Sequence, residues 1–439
     1  MIELFAIILQ FFIFLIIFSF PLNAKNLNNL LKTKDNSLNY IDCHAINIII
    51  FLNILLFFSF LNINLRIVFI IIFSTSLIFL FVRWKEFFLL INKKNFLKFI
   101  YFLILTISIF ISIAQLLKLN WDGFHWITKA LVFFNDTTID NLKFSKMAEY
   151  PHLGGYVWAF FWKNSFLELE YFGRFFYVYF YLVSIFAIFN VLNFKSDKII
   201  FLLIFSLIFL SFDPYLFGGY QEYLIFSTLL ISSRFIYLIN FDNKNQYRRI
   251  FLVLFLMSIM MWFKDEGMFY FLIFGSLIIF MNKNSLNQKI PIILSILLII
   301  YIQQYLQEHI IGIYGFNVDF FSQRSLDQLL DFQFLLIKSL AISKHLIIAF
   351  IKYPLWLLIL FSIFLVSKFD KKNHNLIKYF TYALILNIFF IYAVYLHDYN
   401  PSEFILSVTL DRVIFQTSSF YILMFIFLLN KSKLINSKL

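Results

Sequence analysis

The chain has 439 residues, 62% of them hydrophobic and only 14% charged, and a net charge of +12. A soluble domain is near half apolar and a quarter charged, so no soluble globule of this length could hide so much apolar surface. The positive charges sit in short loops between apolar runs, which sets nucleic acid aside as partner and points to membrane lipids and their anionic headgroups.

Apolar runs fall at 2–22, 46–62, 67–82, 99–117, 172–193, 199–212, 221–240, 250–263, 268–281, 290–306, 344–366, 376–396 and 413–430, thirteen candidates in all. A membrane helix uses about 20 residues. The expectation is an all-α, polytopic membrane protein with about 11–13 spans, forming one domain over 1–439. The first run lacks a basic start and a small-residue cleavage site and reads as a retained span. Phe occurs 66 times. Phe, Ile, Asn and Lys share AT-rich codons, so a Phe stripe is weak evidence for an aromatic site here. Cys43 is the sole cysteine, which excludes an internal disulfide and a thiolate metal cluster.

Loops 23–45, 83–98, 194–198, 241–249, 282–289, 367–375 and the tail carry the dense basic clusters. Examples are Arg83, Lys85, Lys93 and Lys94, then Arg248 and Arg249, then Lys371 and Lys372. The positive-inside rule places them in the cytoplasm. The opposite loops, 118–171, 213–220, 264–267, 307–343 and 397–412, then face outward, with 118–171 the main one. Long polar loops on one side of a membrane protein are where chemistry resides.

These outer loops hold the candidate site residues. In Trp121-Asp122-Gly123-Phe124-His125-Trp126, a helix starting at Asp122 would set Asp122, His125 and Lys129 on one face and Phe124, Ile127 and Leu131 on another. Asp122 fits an N-cap as well as a chemical role. Farther along, Tyr150-Pro151-His152 marks a second helix start; His152 taken alone reads as a solvated loop histidine. Glu222, after Gly218-Gly219-Tyr220, heads a span, either facing a cavity or snorkelling to the interface. Lys264-Asp265-Glu266 forms a tight turn that is either a solvated hairpin or a site presenting Lys264 to a phosphate. Arg412 enters the last span from the outer side, against the charge trend. Its guanidinium suits a phosphate, or a structural pair with Asp411 or another acid.

The order of these features resembles the GT-C glycosyltransferase superfamily, which includes protein O-mannosyltransferases and the lipid A aminoarabinose transferase. Trp121-Asp122-Gly123, Tyr150-Pro151-His152, Gly219-Tyr220-Gln221-Glu222, Lys264 to Gly267 and Asp411-Arg412 carry it, over about residues 118–416. The resemblance implies inverting sugar transfer from a polyprenyl-phosphate sugar to a glycan, lipid or protein hydroxyl. It also implies a multi-pass protein of a bacterial inner membrane with its site facing the periplasm. Asp122 would be the general base. Lys264 and Arg412 would neutralise the leaving phosphate, and Glu222, His152 and Glu266 would orient substrate or hold the cations. His125, Lys129 and Tyr150 join the substrate-binding set. The chain departs from the family in two ways: the loop follows the fourth span, and Gly123 stands where a second acid is frequent. No residue is assigned to a metal, and a divalent cation stays open. The runner-up reading is an O-antigen ligase or polysaccharide polymerase, which leans on Arg and His in a late loop where 307–343 offers only Arg324 and His309; the third is a transporter, for which the mid-span polar residues are few, mainly Arg234.

Overall fold

The computed structural model describes residues 1–31, 38–83, 93–116, 119, 121–136, 138–146, 148–192, 197–213, 217–239, 241, 246–283, 285–312, 327, 330–366, 374–396 and 403–431. Helices form every regular element among them. In chain order these are α1 (Ile2–Ile17), α2 (Ala24–Leu31), α3 (Tyr40–Phe60), α4 (Leu65–Val82), α5 (Lys93–Ala114), α6 (Trp121–Phe134), α7 (Leu153–Lys163), α8 (Tyr171–Phe189) and α9 (Asp197–Ser211). There follow α10 (Glu222–Ile236), α11 (Tyr247–Ser258), α12 (Glu266–Met281), α13 (Leu286–His309), α14 (Phe332–Lys352), α15 (Trp356–Val366), α16 (His374–Leu396), α17 (Glu403–Thr417) and α18 (Ser419–Lys431). Short 3₁₀ turns lie at Ile139–Phe144 and Ile259–Trp262.

The protein is a multi-pass membrane protein. Among the described residues, eight helical stretches are long and apolar enough to cross a bilayer, the last of them Leu406–Asn430 running through α17 and α18, and Ile2–Ile17, Glu266–Met281 and Trp356–Val366 are shorter apolar helices. Large apolar side chains such as Ile78, Phe81, Phe209 and Phe280 stand exposed on the outside of the bundle. In water such a surface would aggregate; in lipid it is solvated. At the centre, every residue of α8 and of α10 is buried. These two helices pack on each other, and α8 also meets α1, α3, α5, α7 and α9.

The two sets of loops meet at opposite ends. At one end the Tyr171 hydroxyl donates to Glu3 and Arg66 pairs with Glu168 at 2.6 Å. At the other, Arg234 pairs with Asp42 at 3.0 Å, Asn190 donates to Asn39 at 2.9 Å, and Lys98 pairs with Asp197 at 3.3 Å. Arg248 and Arg249 reach the carbonyls of Leu30 and Leu31 at that same end. Residues expected near the same side of the membrane therefore touch each other at each end.

Several boundaries differ from the hydropathy reading. Loop 307–343 is helical through His309 and again from Phe332, where Asp331 caps α14 by accepting from the Gln333 and Phe334 amides. His309 stacks on Tyr305, and Arg324 lies outside the described residues. The run 344–366 is two helices, since Pro354 cannot supply an amide to the ladder and the chain breaks between Lys352 and Trp356. Arg412 lies inside α17, and the outer part of 397–412 that precedes Glu403 lies outside the described residues, as do Lys85, Lys371 and Lys372. Loop 23–45 contains α2 and the start of α3, where Asn39 and Asp42 form a reciprocal capping box.

Candidate active site

Three helices begin at one end of the bundle with an acid in the first turn: Asp122 on α6, Glu222 on α10 and Glu266 on α12. A carboxylate there is stabilised by the unpaired amides and positive pole of the helix N-terminus. Asp122 lies within the first turn and not ahead of it, so it is not the residue preceding the helix. Two glycines let these helix starts converge. A Cβ at Gly123 would lie 2.0 Å from the Gly218 carbonyl oxygen, and Gly219 has φ +100° with the Trp158 ring 2.4 Å from where its Cβ would be. The turn preceding Glu222 therefore rests directly on the backbone of α6. No side chain fits at position 123.

The converging side chains form a continuous chain of charge. Arg412 on α17 bonds the Asp122 carboxylate and stands 3.6 Å from Glu222. Glu222 accepts from Lys264 at 3.1 Å, and Lys264 also meets Glu266 at 3.1 Å. The Arg412 guanidinium lies over the Tyr220 ring, 4.9 Å from its centroid. Glu222 is 1% exposed, whereas Asp122, Arg412, Lys264 and Glu266 keep 17%, 15%, 11% and 22% of their side chains accessible. The chain thus has a buried centre and ends that water or a ligand can reach. Burial pulls the Lys264 ammonium down, but Glu222 and Glu266 together outweigh it and hold its pKa above the ordinary lysine value. Lys264 is therefore a fixed cation at neutral pH.

Beside this chain lies a second polar group. Lys129 is buried, donates to the Tyr150 carbonyl, and sits 5.3 Å from the Trp126 ring centroid. Burial lowers its pKa to about 7, against the opposing pull of Asp265 and Glu149. Asp265 is pushed up to about 8 by burial and by Glu266, with Lys129 and Lys264 acting the other way. Burial, then Glu266, raises the Tyr150 phenol.

Of the residues singled out in the sequence, Asp122, Glu222, Lys264, Glu266 and Arg412 come together. Lys129 and Tyr150 bond each other alongside. His125 is half-buried on α6, its carbonyl accepting from Thr128. His152 is not a solvated loop histidine. It is buried, shares a 2.8 Å hydrogen bond with Ser59, and packs against the rings of Phe60, Phe133 and Trp262. Burial lowers its pKa to about 3, so it is neutral. The paired acid for Arg412 is Asp122, with Asp411 instead held by Lys352 at 3.1 Å. Arg234, at the opposite end, is buried against Asp42.

Tyr220 and Asp265 were not singled out as site residues. Both are direct sequence neighbours of residues that were, and adjacency to Glu222 and Lys264 was the available signal. Among the described residues, no group of three or more His, Cys, Asp or Glu side chains is placed to hold a metal ion, so no chemical step is derived through one. No protein-family model, no curated protein and no solved structure matches the chain.

Proposed function

We propose that this protein is a glycosyltransferase of a bacterial inner membrane. It would move a sugar from a polyprenyl-phosphate donor to an acceptor hydroxyl on the outer face, with inversion. The observation that carries this reading is the joining of Asp122, Arg412, Glu222, Lys264 and Glu266 into one charged chain at one end of a membrane bundle. Five ionisable groups from four chain segments are costly to gather near lipid unless they serve a purpose. The outer-face assignment rests on the basic loops at the opposite end, among them Arg248 and Arg249.

The chain holds three carboxylates and two cations, a formal sum of −3 + 2 = −1. An incoming phosphate must therefore displace an acid from a cation. Arg412 is the one to release its partner, because it is the more accessible of the two cations, 15% against 11% for Lys264. Donor binding then frees the Asp122 carboxylate, which takes the proton of the acceptor hydroxyl as the oxygen attacks the anomeric carbon. The bond between that carbon and the phosphate oxygen breaks, and polyprenyl phosphate leaves. General-base catalysis contributes roughly 10²- to 10⁴-fold. The charge growing on the phosphate meets Arg412, Lys264 and the N-termini of α6, α10 and α12. Glu222 and Glu266 hold Lys264 in place.

Transport is the second reading, favoured by one observation. The breaks at Tyr353-Pro354 and at Thr417-Ser418 lie side by side, with the Tyr353 and Phe415 rings 5.6 Å apart. Broken helices line substrate paths in transporters. Vesicles containing the protein and a donor with labelled sugar separate the two. Transfer gives a new glycosidic bond and free polyprenyl phosphate; movement of intact donor with no new bond supports transport and overturns the transferase reading.

A further inference from the structure

The end of the bundle opposite the charged chain contains a partly open cavity of about 340 Å³, bounded by α1, α3, α5, α8 and α9. Protein interiors are packed so closely that voids larger than a water molecule are few. Ligand pockets begin at roughly 300 Å³. This cavity is therefore a space to be filled.

Its polarity is graded along its depth. Lys98, Asn39 and Asn190 stand at its rim, at the helix ends, where Asn190 bonds Asn39 at 2.9 Å and Lys98 pairs with Asp197 at 3.3 Å. One to three turns deeper the walls are Phe102, Val183, Phe186 and Ile204. On α8 the lining runs from Asn190 back to Tyr179, a depth of about 16 Å at 1.5 Å per residue. At the floor the Tyr179 hydroxyl and His44 Nε2 share a 2.6 Å hydrogen bond, while His44 Nδ1 is buried without one. Water gains little in such a space, because apolar cavities stay dry and bind hydrocarbon. An amphiphile with its head at the rim and a chain inward matches every level. The surrounding solvent supplies one: the outer surfaces of α5 and α9 carry exposed Leu97, Ile104, Leu202 and Phe205 and face lipid.

We propose that this cavity is a lipid site that takes one hydrocarbon chain of an anionic phospholipid, with the phosphate at Lys98. The Lys98 ammonium has three donors, and its pairing with Asp197, the one ion pair it makes among the described residues, leaves room for a phosphate oxygen. The site lies at the other end from the charged chain and does not depend on the transferase reading.

The test uses the whole protein in phosphatidylglycerol vesicles in which part of the lipid carries a photoreactive group on one acyl chain. After irradiation, adducts are mapped by mass spectrometry. Every residue of α8 is buried, so bulk lipid cannot reach it and labelling between Tyr179 and Phe189 reports a chain inside the cavity. Exposed Leu202 and Phe205 provide the control for ordinary lipid contact. Val183→Phe and, separately, Ile204→Phe are expected to cut the α8 label at least tenfold while the control label stays. Lys98→Ala, or phosphatidylcholine in place of phosphatidylglycerol, is expected to cut it several-fold. Adducts confined to exposed faces, or an α8 label that neither filling variant reduces, overturn the site. An α8 label indifferent to Lys98 and to headgroup charge overturns the anionic-lipid assignment.

Discussion

Replacing Glu222 by glutamine removes the buried centre of the charged chain without changing its shape. Lys264 then keeps an amide oxygen as acceptor but loses the charge assistance of its 3.1 Å bond, and Arg412 loses a carboxylate 3.6 Å away that is too far for a hydrogen bond and acts only through charge. A hydrogen bond to a charged group is worth about 1.5–3 kcal/mol. Stripping a buried ion of its partner costs about 3–5 kcal/mol. Neither cation is stripped here, because Lys264 keeps Glu266 at 3.1 Å and Arg412 keeps Asp122. The expected loss is therefore about 2–3 kcal/mol, near the upper end for one charged bond. Glu266→Gln should lose less, about 1 kcal/mol, since Glu266 is 22% accessible and water can replace it. Thermal unfolding of the two variants and the wild type in one detergent ranks them directly. Equal stability of Glu222→Gln and wild type, or a larger loss in Glu266→Gln, would refute the idea that Glu222 is the buried keystone of the chain.

Gly123→Ala is expected to cost about 3 kcal/mol or more, because its Cβ would meet the Gly218 carbonyl at 2.0 Å and lift the Glu222 turn from α6; an unfolding midpoint equal to wild type would show that the turn does not depend on that contact. Asp265→Asn probes pH dependence. With the folded pKa raised to about 8 and an unfolded value near 3.9, the folded state holds the extra proton and wild-type stability falls as pH rises from about 4 to 8. Melting curves across that range should show the variant overtaking the wild type toward pH 8, and parallel curves would contradict the raised pKa. His152→Phe loses the Ser59 bond and should lower stability by roughly 1–3 kcal/mol with donor affinity unchanged; a shift in donor Kd would place His152 in contact with substrate.

Much of the fold is legible in the sequence because lipid demands long apolar helices, and each apolar run at 2–22 through 413–430 contains helix. Hydropathy is blind where polar local chemistry decides. The Asp331 cap starts α14 inside what reads as a loop, and Asn39 with Asp42 starts α3 six residues before its apolar run. The site is legible as a set of residues at one end of the bundle and illegible as a set of pairs. Arg412 lies 290 positions from Asp122, and only tertiary packing says which acid it meets. The amphipathic face of α6 shows the same limit: spacing groups Asp122 with Lys129, but says nothing of where that face turns. Here Lys129 is buried and Phe124 is 56% exposed, the reverse of a soluble helix.

The claim at the centre is that the Asp122 carboxylate, released from Arg412 by the donor phosphate, takes the acceptor's proton. Single-turnover transfer from a labelled polyprenyl-phosphate sugar, measured in vesicles for wild type and Asp122→Asn, tests it most directly. The expected result is loss of transfer by at least the 10²-fold that a general base contributes, with donor still bound by the variant. Transfer by Asp122→Asn at the wild-type rate would contradict it.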